Sequence, residues 1–191
     1  MYQTNDYSYI KGTPGFSDKI LDMHFKLYDG YVKNTNKILE SLKNLQQEGK
    51  VSSPEFAELK RRLGWEFDGM RLHEYYFPQI GGDGKMDEGG KLAKAIKDSF
   101  GSYDAWADDF VATGMMRGIG WAALYEDVHS GRLINFWINE HNQNHPAGGN
   151  LILVADVFEH AYVPDYGADR ASYIEAFMKS LRWDVIEKRL R

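Results

Sequence analysis

The chain has 191 residues, with 23 Lys and Arg against 28 Asp and Glu, a net charge of −5 and a pI near 5.7. That length holds about one to one-and-a-half domains, and that charge argues against a nucleic-acid binder, which would carry a basic face. There is no cysteine, which excludes disulfides, thiolate metal sites, iron–sulfur clusters and a cysteine nucleophile. The first sixteen residues are polar, and no apolar run approaches the ~18 residues of a membrane span. The expectation is a soluble, cytoplasmic protein without a nucleic-acid or membrane partner.

The spacing predicts a long helix over 17–46, with Ser17 or Asp18 at its start. Its apolar positions run Ile20, Leu27, Tyr31, Ile38, Leu42 and Leu45, a helical stripe. His24 fills the first gap. A turn follows at 46–54, with Gly49, then Ser52 or Ser53 as a cap and Pro54 at the first helical position. The second helix, 54–77, carries the stripe Phe56, Leu59, Leu63, Phe67, Met70, His73 and Phe77. A short loop makes the two helices antiparallel neighbours. At ~1.5 Å per residue, His24 and His73 lie roughly 35 Å and 30 Å from the turn, so they meet near the hairpin's open end.

The glycine-rich stretch 79–90 reads as a loop or join, and a domain boundary is expected there, with 1–80 before it and 81–191 after. Helices are expected near 89–100 and 102–116. Strands follow at about 119–126 and 131–138, joined by a hairpin turn, and Leu151 to Ala155 has the unbroken apolar character of a central strand. The tail from 165 on reads as helix. Helices first and a small antiparallel sheet later give an α+β fold.

Asp156 follows the buried run directly, and His160 is four residues on. One helical turn would put both on one face. A carboxylate at a buried position needs a partner or a metal. A lone histidine on an apolar stripe is ordinarily a hydrogen-bonded core residue. Two such histidines at one height, together with the Asp156/His160 pair, point to a site for a divalent or trivalent transition metal. His129 and His145 are expected in loops.

Six segments resemble the iron/manganese superoxide dismutase family, in family order. Asp-Val-Phe-Glu-His-Ala-Tyr at 156–162 is similar to its Asp-x-Trp-Glu-His-Ala-Tyr signature, and Gly-Ile-Gly-Trp-Ala at 118–122 to its Gly-x-Gly-Trp-Ala strand. The others are Asp-Gly-Met-Arg-Leu-His at 68–73, Tyr-Val-Lys-Asn-Thr-Asn at 31–36, Phe-Gly-Ser-Tyr-Asp at 100–104 and Arg-Trp-Asp at 182–184. The resemblance implies an N-terminal antiparallel helical hairpin followed by a C-terminal α/β domain with a three-stranded antiparallel sheet. It implies that His24, His73, Asp156 and His160 hold one iron or manganese ion, and that the chain disproportionates superoxide.

The resemblance also implies roles around the ligands. Tyr31 is the gateway tyrosine, with Tyr28 as fallback; Trp121 walls the pocket; Arg170 draws in the anion. Met23 occupies the slot of the first ligand in an ungapped match, but the stripe favours His24. Gly69 excludes a glutamine from the second helix. Counting back from Asp156 puts His141 in the position that hydrogen-bonds the bound solvent, with Gln143 as runner-up, and a histidine there leans toward iron. A homodimer is implied, with Glu159 near the partner's metal site. The family's bridging His–Tyr pair is absent, since Val163 and Leu27 or Tyr28 stand in its places, and Phe77 and Phe158 replace tryptophans. Two other readings use the same residues: an inactive metal-binding or interaction scaffold derived from that family, and a metal-dependent hydrolase or oxygenase.

Overall fold

Ser17 accepts the backbone N–H of Ile20 at 3.1 Å and starts helix α1, Asp18–Gln47, with Asp18 favoured at the positive end of the helix dipole. Ser53 caps α2, Pro54–Tyr76, in the same way through Phe56, and Pro54 sits where no N–H is needed. The computed structural model describes residues 1–191. The two helices pack antiparallel, as the pairs Tyr28–Glu74, Tyr31–Gly69 and Asn34–Glu66 trace. No helix is long and apolar enough to cross a membrane.

The stripe of α1 differs from the expected one at Leu27, which is exposed. The buried face runs Ile20, His24, Tyr28, Val32, Thr35 and Ile38. Positions three and four after a buried residue straddle the same helical face, and contact with α2 selects Tyr28 over Leu27.

After a 3₁₀ turn at Phe77–Gln79 and a loop come α3, Lys91–Phe100, and α4, Tyr103–Gly114. Strands β1, Gly120–Asp127, β2, Leu133–Asn139, and β3, Gly149–Asp156, form one antiparallel sheet in the order β2-β1-β3. The chain ends in α5, Val163–Tyr166, α6, Arg170–Lys179, and α7, Trp183–Glu187. The α+β outline is as expected.

β1 is central, and its register sets Trp121 opposite Asp156. On the other side of β1, Gly120 permits the close approach of β2, because a Cβ there would stand 2.1 Å from the Ile138 carbonyl oxygen. One apolar cluster runs from Ile20 through the sheet to Ile186. Its burial is the main favourable term in holding the sheet against the hairpin. Arg189 adds a polar tie, donating to the carbonyls of Tyr75 (2.7 Å) and Ile152 (2.9 Å) and to Gln79 Oε1 (3.0 Å). Gln79 in turn pairs with the backbone of Val154, two residues before Asp156. The end of α2 and the end of β3 are thereby held at a fixed distance.

Candidate metal centre

Four side chains from four segments converge at the open end of the hairpin. Asp156 Oδ2 lies 3.1 Å from His24 Nε2, 3.1 Å from His160 Nε2 and 3.6 Å from His73 Nε2. One ligand atom from each residue falls within 4.8 Å of all the others. His24, His73 and Asp156 are buried, whereas His160 keeps 19% of its side chain exposed.

Asp156 and His160 do not share a helical turn. Asp156 is the last residue of β3, and His160 lies in a 3₁₀ turn, Glu159–Ala161. Asp156 Oδ1 accepts the N–H of Phe158 at 2.8 Å. This short side-chain-to-backbone turn folds the chain back so that His160 returns to Oδ2. The strand end, fixed by Trp121 opposite, thus does the work expected of a helix.

The protonation states follow from hydrogen bonding. His73 Nδ1 lies 2.5 Å from the Gly69 carbonyl, which can only accept, so Nδ1 carries the proton. Burial pushes His73 well below the ordinary histidine pKa, with the neighbouring His24 adding to the effect. Its Nε2 is therefore a bare lone pair, buried and without a hydrogen-bond partner, facing a carboxylate oxygen. Burial raises the Asp156 carboxyl, but His160 and His24 outweigh this and hold it below the usual carboxylate range. Burial likewise keeps His24 neutral. Two acceptors facing each other in a dry site call for a cation between them. Three imidazoles and one carboxylate make a donor set for a transition-metal ion.

Behind the four stands His141, fully buried. Trp121 Nε1–H can only donate and does so to His141 Nδ1 at 3.1 Å. Burial lowers the His141 pKa to about 4, so the ring is neutral with its proton on Nε2. That proton is donated to Tyr31 Oη at 2.7 Å. The Tyr31 hydroxyl keeps its own proton, since burial first and then the Asp156 charge push its pKa up. Tyr31 also lies over His73, ring centroids 5.3 Å apart. Tyr28 turns away to Glu74, and Met23 packs into the core. Gln143 is exposed and paired with Asn139.

Residues 88–189, more than half of the chain, match the family described as "Iron/manganese superoxide dismutases, C-terminal domain". Over nearly the whole length the chain is also similar to curated relatives. It is 37% identical to the iron superoxide dismutase of Cupriavidus metallidurans, covering 88% of this chain and 85% of the relative. It is 34% identical to that of Aquifex aeolicus, covering 98% and 90%. It is 33% identical to manganese superoxide dismutase 2 of Haloferax volcanii, covering 93% and 88%. The chain belongs to the iron/manganese superoxide dismutase family.

In this member of the family, Arg170 makes its hydrogen bonds away from His24, His73, Asp156 and His160. Its guanidinium donates to the carbonyls of Met116 (2.7 Å) and Gly118 (3.0 Å) and to Tyr162 Oη (3.3 Å), and none of its hydrogen bonds reaches a site residue. The turn between α4 and β1 leaves these carbonyls without ladder partners, and they take the donors. Sequence reasoning missed Trp65, whose ring lies edge-on 4.8 Å from His141. It precedes Gly69 and His73 at i, i+4, i+8 spacing on α2, a signal that was available. Phe158, expected near the site, stacks on His141 at 4.6 Å, and Phe77 meets His24 at 5.0 Å. Tyr173, which donates to the Asp156 carbonyl at 2.7 Å, had no local signal. His129 is exposed, and His145 lies in the loop after β2.

Proposed function

We propose that His24, His73, Asp156 and His160 hold one iron or manganese ion per chain, and that they do so for the disproportionation of superoxide to dioxygen and hydrogen peroxide. The observation carrying this reading is the bare, buried Nε2 of His73 aimed at Asp156 Oδ2. When bound, the metal supplies the redox change, accepting an electron from one superoxide and returning it to the next.

The chain's own residues supply order and protons. Peroxide formation consumes two protons, and the Tyr31 hydroxyl, accepting from His141, has its own proton free for the pocket. His141 holds that hydroxyl in place and is itself held by Trp121. Such outer partners tune a metal centre's basicity and potential. Arg170 enters this reading as a source of positive field behind Tyr162, because steering depends on the local field and not on the net charge. Iron is the metal we assign first, on the histidine at 141. We divide the chain at 80/81, so that the hairpin supplies His24 and His73 and the remainder supplies Asp156 and His160.

We also propose a homodimer. Glu159 is exposed beside the partly open His160, and Met116, Ile119 and Val163 are exposed as well. A second copy would cover these apolar side chains and bring its Glu159 near the metal site. A single-chain mass in sedimentation would remove this arrangement.

The decisive experiment measures metal content and superoxide consumption together. The chain loaded with iron or manganese should bind about one ion and consume superoxide, and His160→Ala should lose the consumption. A fully loaded chain that leaves superoxide untouched would favour the inactive scaffold.

A further inference from the structure

The hydrogen-bond chain from Trp121 through His141 to Tyr31 needs the His141 ring at one height and one angle. His141 sits in the loop 140–148, where a side chain would ordinarily be free to swing. Two non-glycine residues of this loop, Glu140 (φ 54°) and Asn144 (φ 71°), adopt left-handed backbone conformations. Non-glycine residues populate such conformations sparsely, and they persist where the surroundings impose them. Each immediately precedes a histidine, His141 and His145.

His145, one of the six histidines, is not among the four residues of the metal site. Its Nε2 lies 2.8 Å from the His141 carbonyl oxygen and its Nδ1 2.8 Å from Tyr125 Oη. The carbonyl can only accept, so Nε2 carries a proton; in the neutral ring Nδ1 then accepts from the Tyr125 hydroxyl. Asp68 of α2 faces the same Nε2 from 3.7 Å. Strand β1 therefore grips the loop twice. Trp121 holds the His141 ring, and Tyr125, four residues on, holds the His141 main chain through His145.

We infer that His145, oriented by Tyr125, is a positioning residue for His141. By pinning the His141 carbonyl it fixes the angle at which the imidazole meets Tyr31 and Trp121, and so tunes the metal site without touching it. This rests on the reading of His141 given above.

The test compares His145→Phe, His145→Gln and His141→Ala in the iron-loaded protein. It reads superoxide turnover, the dissociation constant for azide as a small anionic probe of the metal, and the thermal midpoint. Phe keeps the ring without its hydrogen bonds; Gln restores a donor. Losing partners to such ligands commonly costs 10–100-fold, and His145 acts one step further out. His145→Phe should lower turnover about 5–10-fold and shift azide affinity by a similar factor, with a midpoint within about 4 °C. His145→Gln should recover most of both.

Wild-type turnover and azide binding in His145→Phe, beside an impaired His141→Ala, would overturn the inference. Equal impairment of the Phe and Gln variants would also overturn it, because the hydrogen bond would not be the cause. An unimpaired His141→Ala would instead bring down the reading of His141 itself. If His145→Phe does not fold, Tyr125→Phe removes only the orienting donor. A smaller drop in the same direction is then expected, and no change would overturn the assignment.

Discussion

Neutrality of His141 is a condition of the site, because a second ring proton would face the Trp121 indole N–H and break that contact. Its pKa falls from the ordinary 6.5 to about 4 through burial. The unfolded chain therefore binds a proton near pH 6.5 that the folded chain refuses until about pH 4. Between these values the unfolded state holds more protons, so this group's contribution to stability rises with pH across the window and is lost as pH falls through it. The full shift corresponds to on the order of 3 kcal/mol, and the part between pH 5 and 7 to about 2 kcal/mol. His141→Gln keeps an acceptor for Trp121 and a donor for Tyr31 but cannot titrate. In urea unfolding of the metal-free chain, the variant should lose about 2 kcal/mol less than wild type on going from pH 7 to pH 5. Identical losses would mean that His141 is not held neutral. His24 and His73 remain in both proteins, so the difference isolates position 141.

Among the elements, α1 and α2 come close together at Gly69, which packs against the Tyr31 ring. A Cβ there would stand 2.7, 2.9 and 3.0 Å from three atoms of the Tyr31 ring. Ala is favoured over Gly in a helix by about 1 kcal/mol, whereas overpacking costs about 1–3 kcal/mol, so the two largely offset. The ring, not the fold, should yield. Gly69→Ala should change stability by less than about 2 kcal/mol yet lower turnover about tenfold, because the 2.7 Å bond from His141 to Tyr31 is displaced. Full turnover would show that Tyr31 can retreat without loss. The elements themselves were legible because their signals are local: Ser17, Ser53 and Pro54 mark the helix starts, and the apolar run 151–155 marks β3. His24 and His73 were legible because polar residues interrupted apolar stripes. Leu27 misled because helical spacing leaves two neighbouring positions equivalent until a partner chooses. Asp156 and His160 were correctly paired on an incorrect local geometry, since only the sheet register reveals that Asp156 ends a strand. Arg170 and Tyr173 depend on contacts distant in sequence, and His145 on a main-chain carbonyl four residues back; these carbonyl partners carry no residue-specific signal.

Taken whole, the molecule brings its helical hairpin and the end of its last strand together at one point. His24 and His73 come from the helical hairpin, while Asp156 and His160 follow the last strand, and the tie from Arg189 to Tyr75 and Ile152 braces the same junction. Without a cation, a buried carboxylate faces the bare Nε2 of His73, a repulsive arrangement in a dry site. A metal that binds only the folded chain stabilises it by RT ln(1 + [M]/Kd), about 4 kcal/mol at a thousandfold excess over Kd. For a chain of this size, 1 kcal/mol corresponds to about 2–4 °C. Removing the ion should therefore lower the thermal midpoint by roughly 8–16 °C. Because ligands come from both sides of the 80/81 division, the loss should appear in one transition that includes the hairpin and the sheet. Scanning calorimetry of the loaded and chelator-treated protein measures both quantities. A shift confined to one half of the chain, or none at all, would mean that the four ligands do not share one ion.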